Sequence, residues 1–339
     1  MAMTFNLQYS HTIGFMSLMG DRGFANPVDM AIGQDGLLYV LSRGGSDSND
    51  YSISKRITVC TLSGKYIEDL SSGGTNDGNL VWPSSIALDN DDNLYVSDEA
   101  LHRISVFTKD GQFIRKWGTQ GSGPGQFDRP AAITIDFEGN LLVVDGLNNR
   151  VQRYDKEGNF LNQWGQAGSG QGQFDIPWGI AEDVNGQIYI ADWRNNRVQK
   201  FDRQGGFMAS WGDDRAENIG FNRPSGVAVD TEGNVYVADR GNERVLMLSP
   251  DGEMLLELHG NSALSNWAYE YFTTNEDELE EREKADLEPT LDLASEDYLR
   301  NQSASIEKLF WGPTAVKVDK DGRVYVVDTN RARVQIYIR

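Results

Sequence analysis

Apolar and polar residues alternate along this chain in short runs, each closed by Gly, Asp or Asn, and this pattern holds until about residue 261. One stretch shows the unit: PSGVAVD (224–230), the turn TEGN, VYVAD (235–239), the loop RGNE, RVLML (244–248), the turn SPDG, and EMLLEL (253–258). Alternation with Gly and Asp turns predicts four short antiparallel strands, since Asp-Gly supplies the positive φ of a tight hairpin. The unit recurs. Pro83, Pro130, Pro177 and Pro224 are 47 residues apart, as are Arg56, Arg103, Arg150, Arg197 and Arg244. Arg333 follows 89 residues later, and Pro27 precedes Pro83 by 56, so there are six copies, two of them with insertions. Four strands per copy is the signature of a propeller blade. The expected fold is all-β, a six-bladed β-propeller of four-stranded antiparallel blades, forming one domain over residues 1–339. The last copy stops after its third strand. Its outer strand is expected from the N-terminal segment 1–14, where residues 7–14 are similar to FIRKWG and FMASWG and would close the ring.

The copies NNRVQRYDKEGNFLNQWG, NNRVQKFDRQGGFMASWG and NERVLMLSPDG resemble NHL repeats over nearly the whole chain outside the insertions. That resemblance implies the propeller. It leaves function open, because such propellers serve as enzymes, RNA binders and protein-interaction platforms.

The two faces of the ring differ. Turns such as DNDDN, DFEGN, DVNGQ, DTEGN and DKDGR are short and polar, whereas both insertions fall on the opposite face. The smaller is the loop 44–55 of blade one. The larger, 261–308, joins blades five and six and carries helix formers, with Thr274 and Asn275 as candidate caps and Pro289 as a break. It is expected to be a small helical lid. It holds 13 Asp/Glu against 4 Lys/Arg, a net of −9 out of −20 for the chain. Trp117, Trp164 and Trp211 share one repeat position in outer strands and read as structural. Trp82, Trp178, Trp193, Trp267 and Trp311 do not repeat, and all five are expected on the insertion face, beside Arg43, Arg194, Arg240 and Arg331. Aromatic faces with guanidinium groups suit an anionic or planar ligand or a partner protein.

Composition removes several classes. With 31 Lys+Arg against 51 Asp+Glu, 39% hydrophobic residues and a single Cys60, the chain is neither disordered nor a disulfide scaffold. No secretory signal or apolar membrane span is visible, so the expected place is the cytoplasm without membrane partners. The acidity disfavours nucleic acid as a partner. Cys60, in a third strand, reads as a small core residue. The five Asp–Arg pairs (Asp98/Arg103, Asp145/Arg150, Asp192/Arg197, Asp239/Arg244 and Asp328/Arg333) look catalytic by composition, but their recurrence makes them loop pins. The three histidines, His11, His102 and His259, fall on separate elements and offer no three-histidine metal site. No cofactor is expected; a channel calcium held by main-chain carbonyls stays open, since such ligands leave no trace in a sequence.

Two local features resemble the peptidyl-α-hydroxyglycine α-amidating lyases, which are zinc propellers. Ser42-Arg43-Gly44 is similar to the setting of their catalytic arginine, and Asp98-Glu99-Ala100-Leu101-His102 to a blade-two motif. The positions of their zinc histidines hold Ser84, Trp178 and Thr314 here, and Leu147 stands where they carry a catalytic tyrosine. The lyase reaction is therefore not expected; only the pocket location carries over. The leading expectation is a non-catalytic binding propeller that engages a protein or a small anionic or aromatic ligand at the channel mouth. The residues assigned to that mouth are Asp29, Arg43, Ser84, His102, Trp178, Trp193, Arg194, Arg240 and Arg331. An enzyme of lyase or hydrolase type at the same mouth is the alternative, and RNA binding comes third.

Overall fold

The computed structural model describes residues 6–20, 22–45, 53–212, 219–291 and 298–339. Most of the blade-one loop 44–55 (46–52), the start of the closing segment (1–5) and part of the large insertion (292–297) lie outside the described residues.

Six four-stranded antiparallel sheets form the ring. Their innermost strands are Pro27–Ile32, Pro83–Leu88, Pro130–Ile135, Pro177–Glu182, Pro224–Val229 and Pro313–Val318. Proline suits the first residue of a strand, where its missing N–H breaks no ladder bond. Blade six is completed from the other end of the chain. Strand β1 (Gln8–Ile13) pairs antiparallel with Arg333–Ile338, placing Ile13 opposite Val334, with a bulge between Tyr9 and His11. The strand edge that the last copy would otherwise expose is thereby covered.

Side-chain contacts within each blade and between neighbouring blades explain why the period is kept so strictly. In the first turn of blade four, Asp183 accepts from the N–H groups of Asn185 and Gln187 at 2.9 Å and from the buried Tyr189 hydroxyl at 3.1 Å. Asp230 and Tyr236 repeat this in blade five, and Asp319 and Tyr325 in blade six. The outer-strand tryptophans cover the following blade's last turn. Gly252, at φ +89°, passes so close that a Cβ there would meet the Trp211 ring at 1.9 Å.

Arg150, Arg197, Arg244 and Arg333 each donate from Nε to their aspartate at 2.8 Å. Arg197 also donates to the carbonyls of Ser169, Gly170 and Gln173, all at 2.8 Å, so one side chain holds both the loop and the blade connection. Blade two departs from the expected pairing. Asp98 accepts from the N–H groups of Val81, Trp82, Ala100 and Leu101, while Arg103 donates to the carbonyls of Thr75, Asn76 and Asn79. Backbone groups engage the carboxylate and the two terminal guanidinium nitrogens there, Arg103 Nε is left without a hydrogen-bond partner, and no ion pair joins the two among the described residues.

Near the axis the inner strands crowd. A Cβ at Gly179 would lie 2.7 Å from the Ser225 carbonyl, and one at Gly226 would lie 2.9 Å from the Ala315 Cα. A cavity of about 20 Å³ lies among the inner strands, lined by Asp29, Ser84, Ser85 and Trp178.

The large insertion forms three helices, α1 (Asn266–Thr274), α2 (Glu276–Lys284) and α3 (Tyr298–Ser305). Ser265 caps α1, its hydroxyl accepting from Ala268 N–H at 3.1 Å and donating to the Gly14 carbonyl at 2.7 Å, while the expected cap Asn275 occupies the N-cap position of α2. Asn275 makes no side-chain cap bond at the start of α2. Helix α1 packs on β1, and Trp267, only 3% exposed, meets Phe24 edge-on at 5.4 Å. Its apolar side is thus drawn into the joint of blades six and one, and Trp267 is a core residue rather than part of the mouth. The helix that reaches the mouth is α3, which packs against the 3-10 turn Arg240–Asn242 of blade five. No helix among the described residues is long and apolar enough to cross a membrane.

Candidate functional site

Each inner-strand proline pairs with the aspartate that ends the second strand, as Pro177 does with Asp192 and Pro224 with Asp239. The loops after the second strands and the connections between blades are therefore held on one face. The residue closing each loop adopts left-handed backbone: His102, Asn149, Asn196 and Glu243 have φ of 49°, 54°, 52° and 54°. From there its side chain reaches the next blade. His102 Nδ1 accepts from Arg129 N–H at 3.2 Å, Asn149 Oδ1 from Ile176 N–H at 2.7 Å, and Asn196 Oδ1 from Arg223 N–H at 2.9 Å. Glu243 does the same for the Gly312 N–H.

This frame sorts the residues assigned from sequence. His102 is a blade tie. Ser84 is buried, donating to the Pro130 carbonyl at 2.8 Å and lying 2.9 Å from Ser97 Oγ, so it joins blades two and three. Arg331 donates to the carbonyls of Ser303 at 2.6 Å and Ile306 at 2.8 Å and anchors α3. Asp29 lies inside the channel, accepting from Ser85 Oγ at 2.6 Å and Ile86 N–H at 3.1 Å, with Lys317 Nζ at 3.0 Å. It is 4% exposed, beneath the mouth rather than in it.

Arg43, Trp193, Arg194 and Arg240 stand in the loops after the second strands, and Trp178 follows the inner-strand proline of blade four. Arg43 bonds Glu99 at 2.7 Å and lies 5.2 Å over the Trp82 ring. Trp178 and Trp193 are 6.4 Å apart, and the guanidinium groups of Arg194 and Arg223 stand 5.9 and 5.2 Å from the Trp193 ring. Arg240 is within Coulombic reach of Glu243, Arg300, Arg43 and Glu99, and burial lowers its pKa. Between α3 and the loops of blades four to six lies a cleft of about 600 Å³, lined by Trp193, Arg223, Arg240, Glu243, Tyr298 and Arg300.

Glu99, Arg223, Glu243, Tyr298 and Arg300 were not anticipated from the sequence. For Glu243 a signal existed: it stands where the neighbouring blades carry Asn149 and Asn196. Burial pushes its carboxyl up to about 7, against the Gly312 N–H bond and the nearby Arg300 and Arg240, which favour the anion.

The donor set does not fit the zinc site of the amidating lyases. The Ser84 hydroxyl is engaged as above, the Thr314 and Thr329 hydroxyls bond each other at 2.6 Å, and Trp178 offers no lone pair to a metal. Among the described residues no three His, Cys, Asp or Glu side chains are placed to hold a metal ion together. His11 contacts the Leu62 carbonyl at 2.7 Å and His259 pairs with Glu257 at 3.3 Å. The Cys60 thiol is fully buried and pushed up to about 12 by that burial, which leaves it inert as a nucleophile.

A family profile described as a 6-bladed beta-propeller matches residues 74–164, and the NHL repeat profile matches 174–201, 221–246 and 310–337. No curated protein sequence matches the chain. Among solved structures, a structural genomics protein of unknown function from Bacteroides thetaiotaomicron is similar at 17% identity and TM-score 0.62, over 98% of this chain and 76% of that one. A streptogramin B lyase structure is similar at 12% identity and TM-score 0.58, over 98% and 97% of the two chains. The virginiamycin B lyase of Staphylococcus aureus reaches 11% identity and TM-score 0.56 over 98% and 100%. At such identities the likeness is one of fold. The profiles, the period and the six four-stranded sheets agree: this chain is a six-bladed β-propeller that carries NHL repeats.

Proposed function

We infer that the chain is a binding propeller whose mouth, on the face bearing the 261–308 insertion, engages a small ligand or a partner group. The observation that carries this is the concentration of guanidinium–tryptophan contacts there: Arg43 on Trp82, and Arg194 and Arg223 on Trp193, with Trp178 alongside. Cationic and aromatic surfaces placed in a concave site favour planar or anionic groups. The crowded axis supports the same location, because 20 Å³ holds no more than a water-sized guest. The test is a thermal-shift and tryptophan-fluorescence screen against a panel of charged and neutral aromatic compounds. Trp178→Ala and Trp193→Ala are expected to abolish the responses seen in wild type. Responses unchanged in both variants would overturn the reading.

A second reading, an enzyme of lyase or hydrolase type at the same mouth, rests on Glu243. A carboxyl titrating near 7 beside Arg240 and Arg300 is matched to proton transfer at neutral pH. Turnover of any compound found in the screen, lost in Glu243→Gln, would favour it over binding alone.

A further inference from the structure

Most arginines of this protein are engaged by carboxylates or carbonyls among the described residues, Arg129 and Arg194 being exceptions outside the cleft lining. Arg150, Arg197, Arg244 and Arg333 hold aspartates, Arg331 holds carbonyls of α3, and Arg43 holds Glu99. Three arginines around the cleft under α3 differ. The guanidinium groups of Arg223, Arg240 and Arg300 make no hydrogen bond or ion pair with the protein among the described residues, although the chain carries 51 Asp+Glu to supply partners. They come from three separate segments: Arg223 from the connection into blade five, Arg240 from the loop of that blade, and Arg300 from α3. All three line one cleft of about 600 Å³, which is the size of a small-molecule site. The carboxyl beside them, Glu243, is committed to the Gly312 N–H. Trp193 and Tyr298 complete the wall.

Guanidinium groups presented together into a concavity, with carboxylates nearby but none hydrogen-bonded to them among the described residues, form a receptor for an oxyanion, since each can give two parallel N–H bonds to carboxylate or phosphate. We propose that this cleft binds a small organic anion, its carboxylate or phosphate group held by Arg223, Arg240 and Arg300 and its planar body lying along Trp193 and Tyr298. This rests on the mouth being a binding site and adds the chemical class of its ligand. It also gives α3 a role. Arg331 fixes that helix against blade six, so Arg300 is delivered to the cleft by the same contact that anchors the roof.

The experiment is isothermal titration calorimetry of the full chain with benzoate, phenyl phosphate and phenol at low ionic strength. Wild type is expected to bind at least one of the anions and to prefer it to phenol by about tenfold or more. The anion that binds better separates a carboxylate ligand from a phosphate ligand. Arg240→Gln is expected to weaken the anion several-fold, and the triple variant Arg223→Gln/Arg240→Gln/Arg300→Gln to abolish binding. Arg240→Lys, which keeps the charge, should retain part of the affinity. Because none of these guanidinium groups makes a hydrogen bond or ion pair among the described residues, melting temperatures should stay near wild type, and this control separates lost binding from lost fold. Equal affinity for phenol and the anions, no anion binding by wild type, or undiminished binding in the triple variant would each overturn the proposal. If the anions fail while a neutral compound in the screen depends on Trp178 and Trp193, the mouth is a binding site and only the anion assignment falls.

Discussion

Replacing Glu243 by Gln gives the most direct check on the electrostatics of the mouth. The carboxyl is 7% exposed and stands at about 7 in the folded chain against an ordinary value of 4.5. For an acid whose folded pKa is raised, the protonated form is favoured by folding. Its stabilising contribution is complete below about pH 4.5 and is lost as pH rises through 7. The whole difference between those values would amount to roughly 3 kcal/mol. Because Glu243 borders a solvent-filled cleft, screening reduces this to about 1–2 kcal/mol. Glu243→Gln keeps a carbonyl oxygen to accept from Gly312 N–H and removes the charge that burial penalises. Urea unfolding at about pH 5 and about pH 8 reads the outcome. The variant should match wild type at the lower pH and exceed it by about 1–2 kcal/mol at the higher. Asp145, Asp192, Asp239 and Asp328 are also raised by burial, but they are common to both proteins and cancel in the difference. A variant-minus-wild-type difference that is constant across this range would refute the reasoning.

Other expectations concern the frame. Ile13 is 1% exposed and packs among Phe24, Val334 and Ile336, so Ile13→Ala should cost about 2–4 kcal/mol by urea unfolding, and deletion through Ile13 should abolish the cooperative transition of the whole ring. A deletion protein that melts like wild type would show that β1 does not close it. Arg197→Met strands the buried Asp192 and frees three carbonyls, and should cost about 3–5 kcal/mol; adding Asp192→Asn should cost much less than a second independent loss, as a double-mutant cycle will show. Trp164→Ala, in the outer strand of blade three, uncovers Gly205 in the last turn of blade four and should lower stability by about 2–3 kcal/mol while leaving benzoate and phenyl phosphate titrations unchanged.

The frame was legible in the sequence because the physical devices that build it are periodic. The strand boundaries read for blade five differ from those observed by about a residue at the ends, since proline, the Asp-Gly turns and the Asp–Arg pair mark them directly. Even the borrowed strand β1 could be read, because the sixth copy visibly lacked its outer member. The exception in blade two has a local cause. The carboxylate of Asp98 is satisfied by four backbone N–H groups and that of Asp145 only partly, and a repeat pattern does not record which donors reach a given aspartate.

The candidate site could be read from the sequence only as a face, and the reason lies in the same periodicity. A residue that recurs at each blade is bound to its frame partner, as Arg150 and Arg197 are. A residue free to meet a ligand is one that the repeat has no use for. Arg240 follows this rule: the equivalent loop positions carry Glu99, Gly146, Trp193 and Thr329, and no frame group waits for a guanidinium there. Glu243 breaks the rule halfway, doing the tie's work with a group that also carries charge. His102 misleads in the opposite direction, since an unusual residue in that position turns out to perform the ordinary tie to Arg129 N–H. Arg300 could not be placed by any register, because it belongs to the insertion, and only the packing of α3 on the Arg240–Asn242 turn brings it to the mouth. Aperiodic residues within a periodic ring are therefore the candidates for the proposed working surface, but each has to be tested for whether its polar atoms are already spent on the frame. Arg223, Arg240 and Arg300 pass that test, and Ser84, His102 and Arg331 do not.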